Sequence, residues 1–322
     1  MVDGIEEARR ACGGHGYGLF SGLPQVLLNC LRMYSTEGDN NVLYLQTARF
    51  LLSSWRSAST GDVEALAGNV LYYADLAADD GAAIEGQTCS AATIEELCDP
   101  EVQLAAFRHV AARKVRRAAG RMAAAAAEGL AEHEAKNAHM RELIEATKSH
   151  CMYTVLNAFV SRVSDIEDGT LGRVLKTQCD LCTRTTIDNP FAVVPSLIRR
   201  LSRSDLRTVR GRADALHTME ANIGDFVNDG YLSGEQADLV SDGVVALLGV
   251  VRPDAVALVD SFDFDDELEL HNSAIGSQDG DVYTRLYEWS NKDPLNGEAG
   301  DGAVVEGAEE MLLPFMRMNA KL

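Results

Sequence analysis

The stretch DPEVQLAAFRHVAARKVRRAAGRMAAAAA, Asp99 to Ala127, decides the fold class. Asp99 is a good N-cap, Pro100 suits the first helical position where no amide is needed, and Glu101 places a negative charge at the positive end of the helix dipole. From there to about Asp168 the composition is almost unbroken helix former, so a long helical region is predicted. Its basic residues Arg113, Lys114, Arg116, Arg117 and Arg121 read as a solvated helix face paired with nearby acids, in preference to a phosphate grip.

The same pattern extends in both directions. Asn189-Pro190 and Pro195 interrupt the helices, and Ser204 to Ile223 resumes them with Leu206, Val209, Ala213 and Leu216 on one face. Ser233-x-x-Gln236 has the form of a capping box before Leu239, Val240, Val244 and Leu247, and helical spacing returns at 253–261 and 282–289. Toward the N-terminus, Pro24 to Met33 predicts a short buried helix, and Val42, Leu45, Ala48 and Leu52 predict another. With Leu43, Tyr44 and Phe50 on its other faces, that second helix reads as interior. No alternating strand, hairpin dipeptide or fixed repeat is evident, so the fold class is all-α with two helical-bundle domains. Residues 1–80 form the first, 81–98 a linker or exposed loop, 99–300 the second, and 301–322 a tail.

Composition narrows the function. The 322 residues carry 49 Asp+Glu against 29 Lys+Arg, a formal charge of -20, which opposes attraction to nucleic acid or anionic membranes. No apolar run approaches the length of a membrane span, and the acidic start Asp3, Glu6, Glu7 lacks a secretory apolar region, so no membrane insertion is expected. The seven cysteines are odd in number and scattered, unlike a disulfide framework. Cys179-x-x-Cys182 has the spacing of a metal or redox pair but no second pair beside it; two buried thiols on a helix are the expectation, and no metal.

Two short segments carry candidate chemistry. Tyr34-Ser35-Thr36-Glu37-Gly38-Asp39-Asn40-Asn41-Val42 reads as a turn opening a helix, with Gly38 permitting close backbone approach and Asp39 or Asn40 as N-cap. Cys12-Gly13-Gly14-His15-Gly16-Tyr17-Gly18 stops the preceding helix, and its glycines expose backbone amides that could lie against a phosphate or an adenine.

Four separated signatures resemble the C-terminal half of peroxisomal acyl-CoA oxidases. EEARRACGGHGY (Glu6 to Tyr17) is similar to the family's glycine-rich segment and STEGDNNVLYLQTARFLL (Ser35 to Leu52) to its catalytic segment. RPDAVALVDSFDF (Arg252 to Phe264) with DGDVYTRLYEWSNKDPLN (Asp279 to Asn296) resembles its closing helices, and Ala320-Lys321-Leu322 resembles a Ser-Lys-Leu type peroxisomal address. Asn41 stands where the family often has threonine, and Met33 to Thr36 precede the candidate base where a Thr-Tyr pair is common.

The resemblance implies an FAD enzyme that converts fatty acyl-CoA to the trans-2-enoyl-CoA and reduces O2 to hydrogen peroxide in the peroxisome. It implies Glu37 as the catalytic base, its backbone N–H helping to polarise the thioester carbonyl, with a pKa raised by apolar neighbours. Gly13, Gly14 and Gly16 would approach the adenosine part of the FAD of a neighbouring subunit, and Gly38, Asp39 and Asn40 would also lie near FAD. A homodimer or pairing with a full-length oxidase subunit, and a peroxisomal import receptor, are the implied partners. In the family a helical domain and a central β domain precede this region and hold most flavin and acyl-CoA contacts. The chain alone is therefore expected to show little or no oxidase activity. Two further readings stand beside this one: a non-catalytic helical module that pairs with oxidase subunits, and an acyl-CoA dehydrogenase.

Overall fold

The computed structural model describes residues 2–32, 36, 38–164, 214–256, 273–276 and 279–292. Glu37, Cys179, Cys182, the proline breaks at 190 and 195, and Ala320, Lys321 and Leu322 lie outside the described residues. Among the described residues the regular elements are all helical, as the caps and spacing predict. The chain forms two compact units, one built from residues 1–4 and 29–262, the other from 5–28 and 263–322.

In the larger unit, α1 (Asn40–Ser59), α2 (Pro100–Ala127) and α3 (Met140–Ser164) pack on one another. Asp99 caps α2 by accepting from the Glu101 amide at 2.8 Å, and Pro100 takes the first turn, as the sequence predicts. Helix α2 is the shared spine of two apolar cores. Ala106, Phe107 and Val110 meet Leu97, Leu216, Phe226 and Val240, while Ala112, Val115 and Ala118 meet Leu51, Trp55, Val70 and Tyr73. The small alanines on its buried side let α3 approach closely, which a run of leucines would prevent.

The helices α4 (Asp214–Ala221), α5 (Ile223–Val227) and α6 (Gly234–Val251) complete the first of these cores. The expected capping box is formed: Ser233 Oγ accepts from the Gln236 amide at 3.1 Å, and Gln236 Oε1 accepts from the Ser233 amide at 2.9 Å. The Gln236 side-chain amide then donates to the Cys89 and Ala91 carbonyls at 2.9 and 2.8 Å, tying α6 to residues 81–98. That connecting stretch is packed, with Ile84, Ala91 and Leu97 buried. The reason is an apolar residue at every few positions, which its Gly and Thr content masks.

The basic face of α2 pairs with acids. The Arg113 guanidinium lies 3.0 Å from the Asp229 carboxylate, Lys114 Nζ 2.5 Å from Asp225, and Arg116 2.7 Å from Glu85. Two elements differ from the sequence reading. Helix α1 buries Tyr44, Ala48, Leu51 and Trp55 but leaves Val42, Leu43 and Phe50 exposed, so it is one-sided and not interior all round. The segment Leu23–Leu31 is helical but none of its residues is fully buried.

Burial also sets a pH dependence. His150 sits on α3 inside the second core, and loss of hydration lowers its pKa from 6.5 to about 4. Between those values the unfolded chain binds a proton that the folded chain refuses. Stability is therefore expected to fall as pH drops from 6.5 toward 4, by about 3 kcal/mol from this group. Urea unfolding of the native chain and of His150→Gln at pH 7 and pH 4.5 measures it; the variant should show a smaller decline across that interval.

Candidate functional site

The segment around Glu37 is described on both sides of that residue. Thr36 is tied to Arg32, its amide and hydroxyl both donating to the Arg32 carbonyl at 3.1 and 2.9 Å. Gly38 follows with φ +114°, a conformation that disfavours any side chain, so the glycine here answers a backbone requirement. Asp39, and not Asn40, is the N-cap of α1. Its carboxylate accepts from the Asn41 and Val42 amides at 2.9 and 3.4 Å, and Asn40 is the first helical residue. The turn is thus anchored to a helix whose far side is sealed by Leu51, Trp55 and Ala58.

The glycine-rich segment belongs to the smaller unit. The sequence reads as a stop after one helix; the structure instead winds Gly13–Tyr17 into a short helical turn directly after the helix Val2–Ala11. Packing explains it. A Cβ on the buried Gly16 would stand 1.9 Å from the Arg9 carbonyl oxygen, so the turn folds back against the preceding helix at a distance only glycine allows. Gly13, with φ +60°, and Gly14 are exposed, and nothing lies within 4 Å of where a Cβ would stand on either. These two positions offer bare backbone to an approaching group, whereas Gly16 serves the fold.

In the same unit the helix Val282–Lys292 meets the glycine turn. The His15 ring lies edge-on to Tyr283, with centroids 5.4 Å apart, and to Phe20 at 6.1 Å. The Ala274 amide donates to the Phe20 carbonyl at 2.8 Å. Two segments some 270 residues apart in sequence, both singled out as signatures, are therefore packed together. Gly38, Asp39 and Asn40 belong to the other unit. Among the described residues no group of His, Cys, Asp or Glu is arranged to hold a metal, and no helix is long and apolar enough to cross a membrane.

The capped turn at Gly38-Asp39 and the open glycine turn at Gly13-Gly14 fall in separate helical units, and comparison with known proteins gives the family of the chain. The family described as acyl-CoA oxidase matches residues 99–205 and 215–317, and its C-alpha1 domain matches residues 1–52. The chain belongs to the acyl-CoA oxidase family. It is 35% identical over 302 residues to peroxisomal acyl-coenzyme A oxidase 2 of Oryctolagus cuniculus, covering 92% of this chain and 38% of that protein. It is 32% identical over 294 residues to peroxisomal acyl-coenzyme A oxidase 1 of Homo sapiens, covering 91% of this chain and 39% of that protein. The acyl-CoA oxidase of Lycopersicon esculentum superimposes with a TM-score of 0.76 at 27% identity, over 98% of this chain and 41% of that one. Acyl-CoA oxidase-1 of Caenorhabditis elegans, solved with FAD and ATP, superimposes with a TM-score of 0.75 at 27% identity, over 98% of this chain and 41% of that one. The chain thus spans about two fifths of the length of these relatives.

Proposed function

We propose that this chain supplies the C-terminal helical part of a peroxisomal, FAD-dependent acyl-CoA oxidase that converts fatty acyl-CoA to trans-2-enoyl-CoA and O2 to hydrogen peroxide. One observation carries the reading: the Gly38-Asp39 turn, capped onto α1, lies within the segment matched to the family's C-alpha1 domain and holds Glu37 in its sequence. Glu37 is the base that takes the proton from the substrate α-carbon, and its backbone N–H helps polarise the thioester carbonyl. FAD, when bound, supplies the acceptor for the β-hydride. Gly13, Gly14 and Gly16 approach the adenosine part of FAD in this reading, a role supported by the open backbone at Gly13 and Gly14. Gly38, Asp39 and Asn40 lie on the flavin side of the site in this reading. Gly16 also supports the turn from behind.

The chain pairs with a second subunit, and residues 81–98 join the helical blocks 1–80 and 99–300 as a packed strap. Residues 301–322 form the tail, where Ala320-Lys321-Leu322 is the address read by the import receptor. The test compares the purified 322-residue chain with the same chain joined behind the N-terminal part of a relative. The joined protein should show a flavin spectrum and form peroxide with palmitoyl-CoA, while the chain alone should do neither, because positioning carries much of the rate. A joined protein that binds flavin but is reoxidised by an electron-transfer protein and not by oxygen would be a dehydrogenase. One that folds and pairs without flavin would be an interaction module.

A further inference from the structure

The tautomer of the buried His150 is decided by a hydroxyl with a single proton to give. Thr154 Oγ1 donates to the His150 carbonyl oxygen at 2.9 Å, and the same oxygen lies 3.3 Å from His150 Nε2. With its proton committed, the threonine oxygen can only accept, so Nε2 carries the hydrogen and Nδ1 the lone pair. The Tyr72 hydroxyl, 3.0 Å from Nδ1, is then the donor in that bond. Burial keeps the imidazole neutral and raises the Tyr72 hydroxyl well above its ordinary pKa, so both partners hold these forms across the neutral range.

The pair sits in a run of aromatic rings. Tyr72 lies 4.5 Å from Tyr73 and 4.6 Å from Tyr153, centroid to centroid, and Tyr73 lies 5.2 Å from Trp55. The Tyr73 hydroxyl is buried, with the Tyr72 hydroxyl as its polar neighbour and, among the described residues, no imidazole nitrogen within hydrogen-bond reach. We propose that Tyr72 and His150 form a redox-active pair, in which a one-electron oxidant takes an electron from the Tyr72 phenol while the phenolic proton passes to His150 Nδ1. The O–H bond breaks and an N–H bond forms. The products are a neutral Tyr72 phenoxyl radical and a His150 imidazolium, and the oxidant is reduced by one electron. A one-electron donor such as ascorbate restores the phenol as the proton returns.

A phenol radical cation is a far stronger acid than an imidazolium, so the transfer is downhill even to a buried imidazole. The Nε2–H bond to Thr154 persists throughout, so no partner has to move. Tyr73 has no such acceptor, which places the stable radical on Tyr72, with Trp55, Tyr73 and Tyr153 as ring contacts along which the electron vacancy travels. In an enzyme that releases hydrogen peroxide, the oxidants are peroxide-derived radicals. That use rests on the proposed function; the chemistry of the pair does not.

The test uses the chain with the exposed Tyr17, Tyr283 and Tyr287 changed to Phe, oxidised by photogenerated tris(bipyridine)ruthenium(III) and frozen for electron paramagnetic resonance. A tyrosyl signal is expected, and Tyr72→Phe, which removes only the hydroxyl, should abolish it. An undiminished signal in that variant overturns the proposal. Nitrogen NMR of the unaltered chain tests the donor assignment separately: His150 should show a protonated Nε2 and a bare Nδ1, and a proton on Nδ1 would overturn it whether or not the Tyr72 variant folds.

Discussion

Glu37→Gln, made in the chain joined behind the N-terminal part of a relative, is expected to lower acyl-CoA-dependent peroxide formation by roughly 10²–10⁴-fold, the usual contribution of a positioned general base. Glutamine keeps the size of the side chain and the backbone N–H, so substrate binding and flavin content should hold. The loss should therefore fall on kcat and leave KM nearly unchanged. The supports of the turn are independent of the carboxylate. The Gly38 backbone and the Asp39 cap on α1 persist in the variant, so the loss should come without a change in folding. Steady-state peroxide assays with flavin absorbance as control decide it. A variant that retains a tenth of its activity would place the base elsewhere in the sequence.

Much of this fold is legible in local chemistry alone. Asp99-Pro100-Glu101 and Ser233-x-x-Gln236 specify helix starts through contacts within four residues, and both caps form as expected. The Asp39 cap belongs to the same class. The features that local chemistry does not disclose depend on distant partners. Glycine disfavours a helix, yet Gly13–Tyr17 winds into one because the Arg9 carbonyl lies where a side chain would otherwise be. The apolar character of α1 on every face suggests an interior helix, but only one side meets α2 and α3 in this chain. Residues 81–98 look like a linker in composition, and their fixation depends on Gln236, some 145 positions away. The Tyr72–His150 pair is separated by 78 positions, and nothing local in either residue announces it. Of the candidate site, the Glu37 turn and the glycine turn are legible as motifs. The division of labour among the glycines is not, because it rests on what stands behind each one.

That division gives the second large effect. Gly16→Ala places a methyl against the Arg9 carbonyl, at 1.9 Å before relaxation. Backbone cannot rotate away as a side-chain tip could, so the helix Val2–Ala11 and the glycine turn must separate. A loss of about 3 kcal/mol is expected, at the upper end of ordinary overpacking. Hydrogen exchange should accelerate across residues 2–17, since Gly16 also accepts a 3.4 Å hydrogen bond from Ser21 that fixes the next turn. Gly14→Ala should behave in the opposite way. Its added methyl meets nothing within 4 Å, and replacing a helical glycine by alanine favours the turn by up to about 1 kcal/mol. In the joined protein, however, the proposed function puts the cofactor against this backbone, so Gly14→Ala is expected to fold at least as well as the parent and to release FAD more readily. Measuring unfolding midpoint and flavin retention on both variants separates a glycine that the fold needs from one that the ligand needs. If Gly14→Ala retains FAD as well as the parent, the open face of the glycine turn is not where the cofactor lies.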